Sequence, residues 1–184
     1  MNQQEIIANT QHWLEKAVIG LNLCPFAKAV VVKQQVRYVV SEATEPAQLL
    51  EELQRELEHL AEANPEKLDT TLLIHPAVLQ DFYDFNDFLD VADALLEDLE
   101  LDGILQIASF HPDYQFADSM PDDIENYSNR APYPCLHLLR EDSIERAVEA
   151  VPDAANIYER NMQTLRELGL EGWQKLMSEK KSAD

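Results

Sequence analysis

Apolar residues recur at helical spacing near the start of the chain. Ile7, Leu14, Val18 and Leu21, with Ile6 and Trp13 beside them, fall on one face and predict an amphipathic helix over residues 3–20 that ends near Gly20. Proline suits the first helical position, so Pro25 predicts a short helix to about Val32 with Cys24 at its N-cap. Val36 to Ser41 reads as the first strand. The stripe of Leu49, Leu53, Leu57 and Leu60 predicts a helix capped by Thr44 and stopped at Asn64-Pro65. Thr70 to His75 is apolar after its threonines, as expected of a strand covered on both faces. Residues 82–99 form the next helix, carrying Phe85, Phe88, Leu89, Ala92, Leu95, Leu96 and Leu99 inward and Asp84, Asp87, Asp90, Asp93 and Glu97 outward. Asp102-Gly103 launches a strand from Ile104 to Phe110, and Cys135 to Leu139 reads as the fourth strand. Asp142-Ser143-Ile144-Glu145 has the pattern of a capping box opening a helix that Pro152 ends. Asp153 opens another helix running to Gly169, Trp173, Leu176 and Met177 make a last amphipathic turn or two, and residues 178–184, with Lys180-Lys181, form a frayed tail.

This order of elements predicts a single α/β domain over residues 1–184. Its core is a four-stranded mixed sheet, with three parallel strands joined by helical crossovers, one antiparallel strand, and five or six helices packed on it. With 46% hydrophobic and 27% charged residues among 184, the chain holds enough apolar material for a real core. The balance of 35 acidic against 14 basic residues gives a formal charge of −21, which repels phosphate backbones and acidic membrane surfaces; neither nucleic acid nor membrane is an expected partner. Met1 to Glu5 lacks the positive start and apolar run of a secretory signal, and apolar runs such as Ala29 to Val32 are too short to span a bilayer. A cytoplasmic protein is expected, with Cys24 and Cys135 as reduced thiols. The oligomeric state is left open.

The densest collection of reactive side chains lies between the third and fourth strands. His111, Asp113, Tyr114, Asp118, Glu125, Tyr127, Asn129 and Arg130 share a stretch with prolines at 112, 121, 132 and 134 and no glycine, which reads as an ordered lid or wall. Open α/β sheets put ligands at the carboxyl ends of their parallel strands. His75 ends the second strand and His111 follows the third, so both imidazoles belong on one rim. An antiparallel fourth strand would begin there too, placing Arg130, Tyr133, Cys135 and His137 near that rim and Arg140 at the opposite edge.

Three chemistries compete for these residues. His111-Pro112-Asp113 suits a proton-transfer pair in which the carboxylate fixes the imidazole tautomer, two ligands of a metal, or, more blandly, a turn capped by Asp113. Arg130 is the only Lys or Arg from Leu68 to Leu139, against fifteen Asp and Glu. Its guanidinium is expected either to pair with Asp113, Asp118 or Glu125, or to clamp an anionic group of a small substrate. Cys24 could be a reactive thiol, although Leu21, Leu23 and Phe26 around it suit a packed one. His137 alternates with Cys135 and Leu139 on an apolar strand, the usual setting of a satisfied core histidine. A metal site would need three or four ligands from His75, His111, Asp113, His137, Asp118, Glu125 and Cys24, which show no recognised metal-ligand spacing, so no metal is assigned. Four glycines, at 20, 103, 169 and 172, make no phosphate cradle or dinucleotide fingerprint, and no Gly-x-Ser-x-Gly elbow is present, so no cofactor is named.

Four stretches, Gly20 to Ala27 (GLNLCPFA), Thr70 to Pro76 (TTLLIHP), Phe110 to Asp118 (FHPDYQFAD) and Glu125 to Glu141 (ENYSNRAPYPCLHLLRE), together resemble a bacterial family known as domain of unknown function 1415. The resemblance spans nearly the whole chain and implies weight for Cys24, His75, His111, Asp113, Asn129, Arg130 and His137 as motif positions. It implies no particular reaction or cofactor. The expectation is a small enzyme in which His111, Asp113 and His75 are catalytic, while Arg130, Asn129 and His137 bind a small polar or anionic molecule. The competing expectations are a non-catalytic acidic module docking a basic partner, and a thiol- or metal-responsive protein using Cys24.

Overall fold

A computed structural model describes residues 2–150 and 156–178. The chain runs through helix α1 (Gln3–Trp13) with a π-helical continuation (Leu14–Ile19), α2 (Ala27–Val32), β1 (Val36–Val40), α3 (Pro46–Glu62), β2 (Thr70–Ile74), α4 (Phe82–Asp98) and β3 (Leu105–Phe110). A 3-10 turn (Ile124–Ser128), β4 (Cys135–Arg140), α5 (Glu141–Ala150) and α6 (Ile157–Ser178) follow.

One sheet has the order β1-β2-β4-β3. β1, β2 and β3 share a direction and β4 opposes them, so the mixed α/β architecture is as expected. The number of parallel pairs is smaller: only β1 and β2 are bonded in parallel, because β4 inserts between β2 and β3 and pairs antiparallel with both. Composition explains the insertion. Leu136 and Leu138 of β4 are wholly buried and so is every residue of β2, whereas β1 carries Arg37 and β3 carries Gln106 and Ser109, which edge positions tolerate.

Strand alternation sorts the core into two sides. Leu73, Leu105, Leu136 and Leu138 face α3 and α4, meeting Leu49, Leu53, Leu57 and Leu60 of one and Phe85, Phe88, Ala92 and Leu96 of the other. Each such buried side chain contributes about 1.5–3 kcal/mol. On the other face Leu72, Ile74 and Cys135 pack on Ile6 of α1, and Trp13, Leu14, Ala17 and Val18 join Leu23, Ala131, Leu165 and Trp173.

Several helix ends differ from expectation for local reasons. The first helix reaches Gly20 as predicted, but its last turns are π-helical, with Gly20 N–H donating to Glu15 O and Leu23 N–H to Val18 O. A Cβ at Gly20 would stand 2.2 Å from Lys16 O, so only glycine fits that close turn. Thr44 does not cap α3: Glu45 is the N-cap, Pro46 opens the helix, and the Gln48 side chain instead accepts the Thr44 N–H. The Asp142–Glu145 capping box does not form, because α5 starts at Glu141 directly off β4 and Ser143 donates to Asp69 Oδ1 at 2.6 Å. Gly169 interrupts α6 at φ 63°, the break its sequence position predicts. The expectations at Pro152 and Asp153 and for the chain after Ser178 lie outside the described residues.

Arg140, at the end of β4, closes the α3 side. Its Nη2 donates to Leu60 O and Ala63 O and its Nε to Leu68 O, so one guanidinium serves the otherwise unpartnered carbonyls where α3 ends. Burial lowers its pKa from the ordinary arginine value, and Asp69 opposes that. Replacing Arg140 with Ala should cost roughly 2–4 kcal/mol in urea unfolding, since it strands buried carbonyls, while Arg140→Lys recovers part of the loss. Unchanged stability in the alanine variant would refute the closure role.

Candidate functional site

The insertion of β4 brings three chain segments to one rim. Cys135 stands opposite both Ile74 and Phe110, so the ends of β2 and β3 and the start of β4 lie side by side. The ladder continues past them: His75 N–H donates to Pro134 O and His111 N–H to Asn129 O. The loop from 111 to 134 is folded on itself by Asn126, which is fully buried. Its Oδ1 accepts from Phe116 N–H and Ser119 Oγ, and its Nδ2 donates to Met120 O. Sequence reasoning missed Asn126; a buried amide in a loop has no periodic signature, and the only signal was its place in the ENYSN run.

His75 and His111 do share the rim, on either side of Phe85, with ring centroids 5.5 and 5.1 Å from it. Both are fully buried. His75 Nδ1 pairs with Val78 O at 3.0 Å, which assigns the proton to Nδ1, and Nε2 is a buried acceptor without a partner among the described residues. Desolvation pushes its pKa down to about 4. His111 Nδ1 accepts the Asp113 N–H at 3.0 Å while Nε2 faces Leu79 O at 3.3 Å, so the proton sits on Nε2 and burial lowers this pKa also. Neutral imidazoles thus tie the segment after β2 to the start of the long loop and leave Asp113 exposed at its surface.

A hollow of about 400 Å³ opens beside them, bounded by Gln80, Asp81, Phe82 and Tyr83 at the start of α4, by Asp113 and Gln115, by Pro121 and Asp122, and by Arg130. Asp81 caps α4 by accepting the Tyr83 and Asp84 N–H groups. The expected ion pair of Arg130 with Asp113, Asp118 or Glu125 is not formed. Arg130 Nε donates to Tyr114 O at 3.1 Å and Nη2 to Pro121 O at 2.7 Å, and the guanidinium lies 4.6 Å over the Tyr127 ring. Glu125 is taken by Arg166 of α6 instead, a competitor outside the stretch over which Arg130 stands alone. Asn129 turns away from this hollow: its Nδ2 reaches Ser109 O and its Oδ1 accepts from Ser128 Oγ.

His137 and Cys24 belong elsewhere. His137 does not join the rim; it stands in mid-strand opposite Leu72 and Ala108, on the α1 side of the sheet, and borders a second hollow of about 670 Å³. Part of its ring edges that hollow, yet surrounding protein still pushes its pKa down to about 4 by desolvation. Cys24 borders the same hollow but is not a helix N-cap. α2 begins only at Ala27, because the Leu23 and Cys24 N–H groups close back on Val18 O and Ala27 N–H donates to Cys24 O. Cys135 is buried, and desolvation pushes its thiol pKa up. Among the described residues no three His, Cys, Asp or Glu side chains are grouped to hold a metal ion.

These features define an α/β protein: a four-stranded mixed sheet clad by helices on both faces, with two separate hollows of small-molecule size. The chain belongs to the family described as Protein of unknown function (DUF1415), whose model matches residues 5–175. No curated protein and no solved structure matches it. No helix among the described residues is long and apolar enough to cross a membrane.

The buried neutral His75 makes stability depend on pH. Unfolded, it titrates near its ordinary value of 6.5; folded, near 4. Between those values the unfolded chain binds the extra proton, so the stability from burying neutral His75 is fully present above about 6.5 and is lost as pH falls toward 4. By pH 5 the loss is roughly 2 kcal/mol. Urea unfolding at pH 7 and pH 5 should therefore differ by about that much less in His75→Phe than in the wild-type chain. An identical difference in both would show that His75 is not held neutral.

Proposed function

We propose that the protein is a small cytoplasmic enzyme that works in the rim hollow on a small polar metabolite bearing an anionic group, with Arg130 as its clamp. The observation that carries this reading is the state of the Arg130 guanidinium. It borders a hollow, is held in place by two carbonyls and an aromatic face, and has no carboxylate partner among the described residues, although the chain carries a charge of −21. A fixed, positively charged fork of N–H donors without a direct ion pair among the described residues matches a carboxylate or phosphate oxygen pair.

The other groups around the hollow refine the substrate. Asp81, Asp113 and Asp122 border it with Arg130, so a ligand carrying only negative charge would be repelled. The match is a molecule that presents an anionic group to Arg130 and hydroxyl or ammonium donors to the carboxylates. Asp113 is the group assigned to proton exchange, since His111 holds its backbone in place and has both ring nitrogens engaged. On this reading His111 and His75 are positioning residues for the loops that frame the hollow. The acidic surface, in keeping with this, opposes nucleic-acid partners.

Isothermal titration of the full chain against a panel of amino acids, hydroxy acids and phosphate monoesters tests the proposal. At least one class should bind the wild-type chain. Arg130→Gln, which keeps a donor for the loop carbonyls, should weaken that binding by roughly ten- to a hundredfold, and Arg130→Lys by less. A ligand held equally well by Arg130→Gln, or a panel with no binder, would remove the clamp.

A further inference from the structure

The hollow on the α1 side of the sheet is a separate site with opposite chemistry, and nothing in it depends on the rim. Its walls are apolar and partly aromatic: Trp13 and Phe110 meet edge to face with centroids 5.1 Å apart, and Phe26 lies on the same wall. The charged side chains around it, Lys33, Glu66, Asp69 and Arg146, balance in sign. Arg146 Nη2 donates to Ser143 Oγ at 3.1 Å and Ser143 Oγ donates to Asp69 Oδ1 at 2.6 Å, while Lys33 and Glu66 are exposed to solvent.

The polar pair on the floor is different. Thr70 Oγ1 lies 2.6 Å from Leu138 O and 2.6 Å from His137 Nε2. A carbonyl oxygen only accepts, so the single hydroxyl proton of Thr70 goes to Leu138, and the contact with His137 must be made by an Nε2–H donor. His137 Nδ1 is then the unprotonated nitrogen. The ring is half-buried and is one of the few polar groups that line the hollow.

We propose that this hollow binds a neutral aromatic small molecule carrying one hydroxyl or N–H donor, which His137 Nδ1 receives. Its volume of about 670 Å³ lies in the range of small-ligand sites, and a few fixed polar groups in an apolar wall are how such sites set orientation. At Nδ1 a carboxylate is disfavoured, because its oxygens would meet a lone pair, and the two cations and two carboxylates around the hollow give it no net attraction.

Calorimetric titration of the full chain with 1-naphthol, naphthalene and 1-naphthoate tests this. The naphthol should bind one to one, naphthalene about fivefold more weakly, as one net hydrogen bond requires, and naphthoate not measurably. His137→Phe removes the acceptor and keeps the bulk, so naphthol and naphthalene should become equal. Ala147→Trp, on the half-buried side of α5 that borders the hollow, should abolish both, with thermal melting reporting that each variant folds. Equal affinity of naphthol and naphthalene for the wild-type chain, naphthol binding that survives Ala147→Trp, or no binding of either compound would overturn the proposal.

Discussion

The double pairing of β4 is the constraint on which the rest of the structure depends. A strand that runs against both neighbours must begin where they end, so Cys135 stands in line with Ile74 and Phe110, and the chain between β3 and β4 has to fold over that rim. The same pairing carries Arg140 to the far edge, where its guanidinium gathers the carbonyls at the end of α3. One strand therefore sets both the open end of the sheet and its closed one. Its apolar faces make this central position favourable, because Leu136 and Leu138 are buried against α3 and α4 while Cys135 and His137 look toward the α1 side.

The arginines show how geometry, more than charge count, selects partners. Carboxylates outnumber cations heavily in this chain, and two guanidiniums do take them: Arg37 forks onto Glu56 at 2.8 and 3.1 Å, and Arg166 reaches Glu125. Arg130 and Arg140 instead receive carbonyl oxygens, one in a loop and one at a helix end. Exposed carboxylates on long or mobile side chains keep good solvation in water, whereas carbonyls fixed by the fold next to a guanidinium have no better donor. A cation satisfied by carbonyls retains its net charge, which makes Arg130 at an open hollow chemically different from Arg166 on the surface.

The histidines divide along similar lines. His75 and His111 flank Phe85 as uncharged rings whose hydrogen bonds hold loop backbone, and their burial is what allows Asp113 to sit exposed beside the hollow. His137 has one nitrogen committed to Thr70, and its ring borders the apolar hollow. The polar rim hollow and the apolar hollow on the α1 side share no lining residue.

By itself the amino-acid sequence determined the elements and much of the map. The leucine stripe of α3, the alternating apolar and acidic faces of α4 and the apolar runs of β2 and β4 are local periodicities, and each lies within a residue or two of its observed span. The meeting of His75 and His111 on one rim also followed from strand directions alone. The place of β4 between β2 and β3, the capture of Glu125 by Arg166 and the separation of His137 from Arg130 were decided only by the tertiary structure. They depend on which distant groups compete for the same partner and on which side of a pleated sheet a residue faces once its register is set, and no local pattern encodes the outcome of that competition.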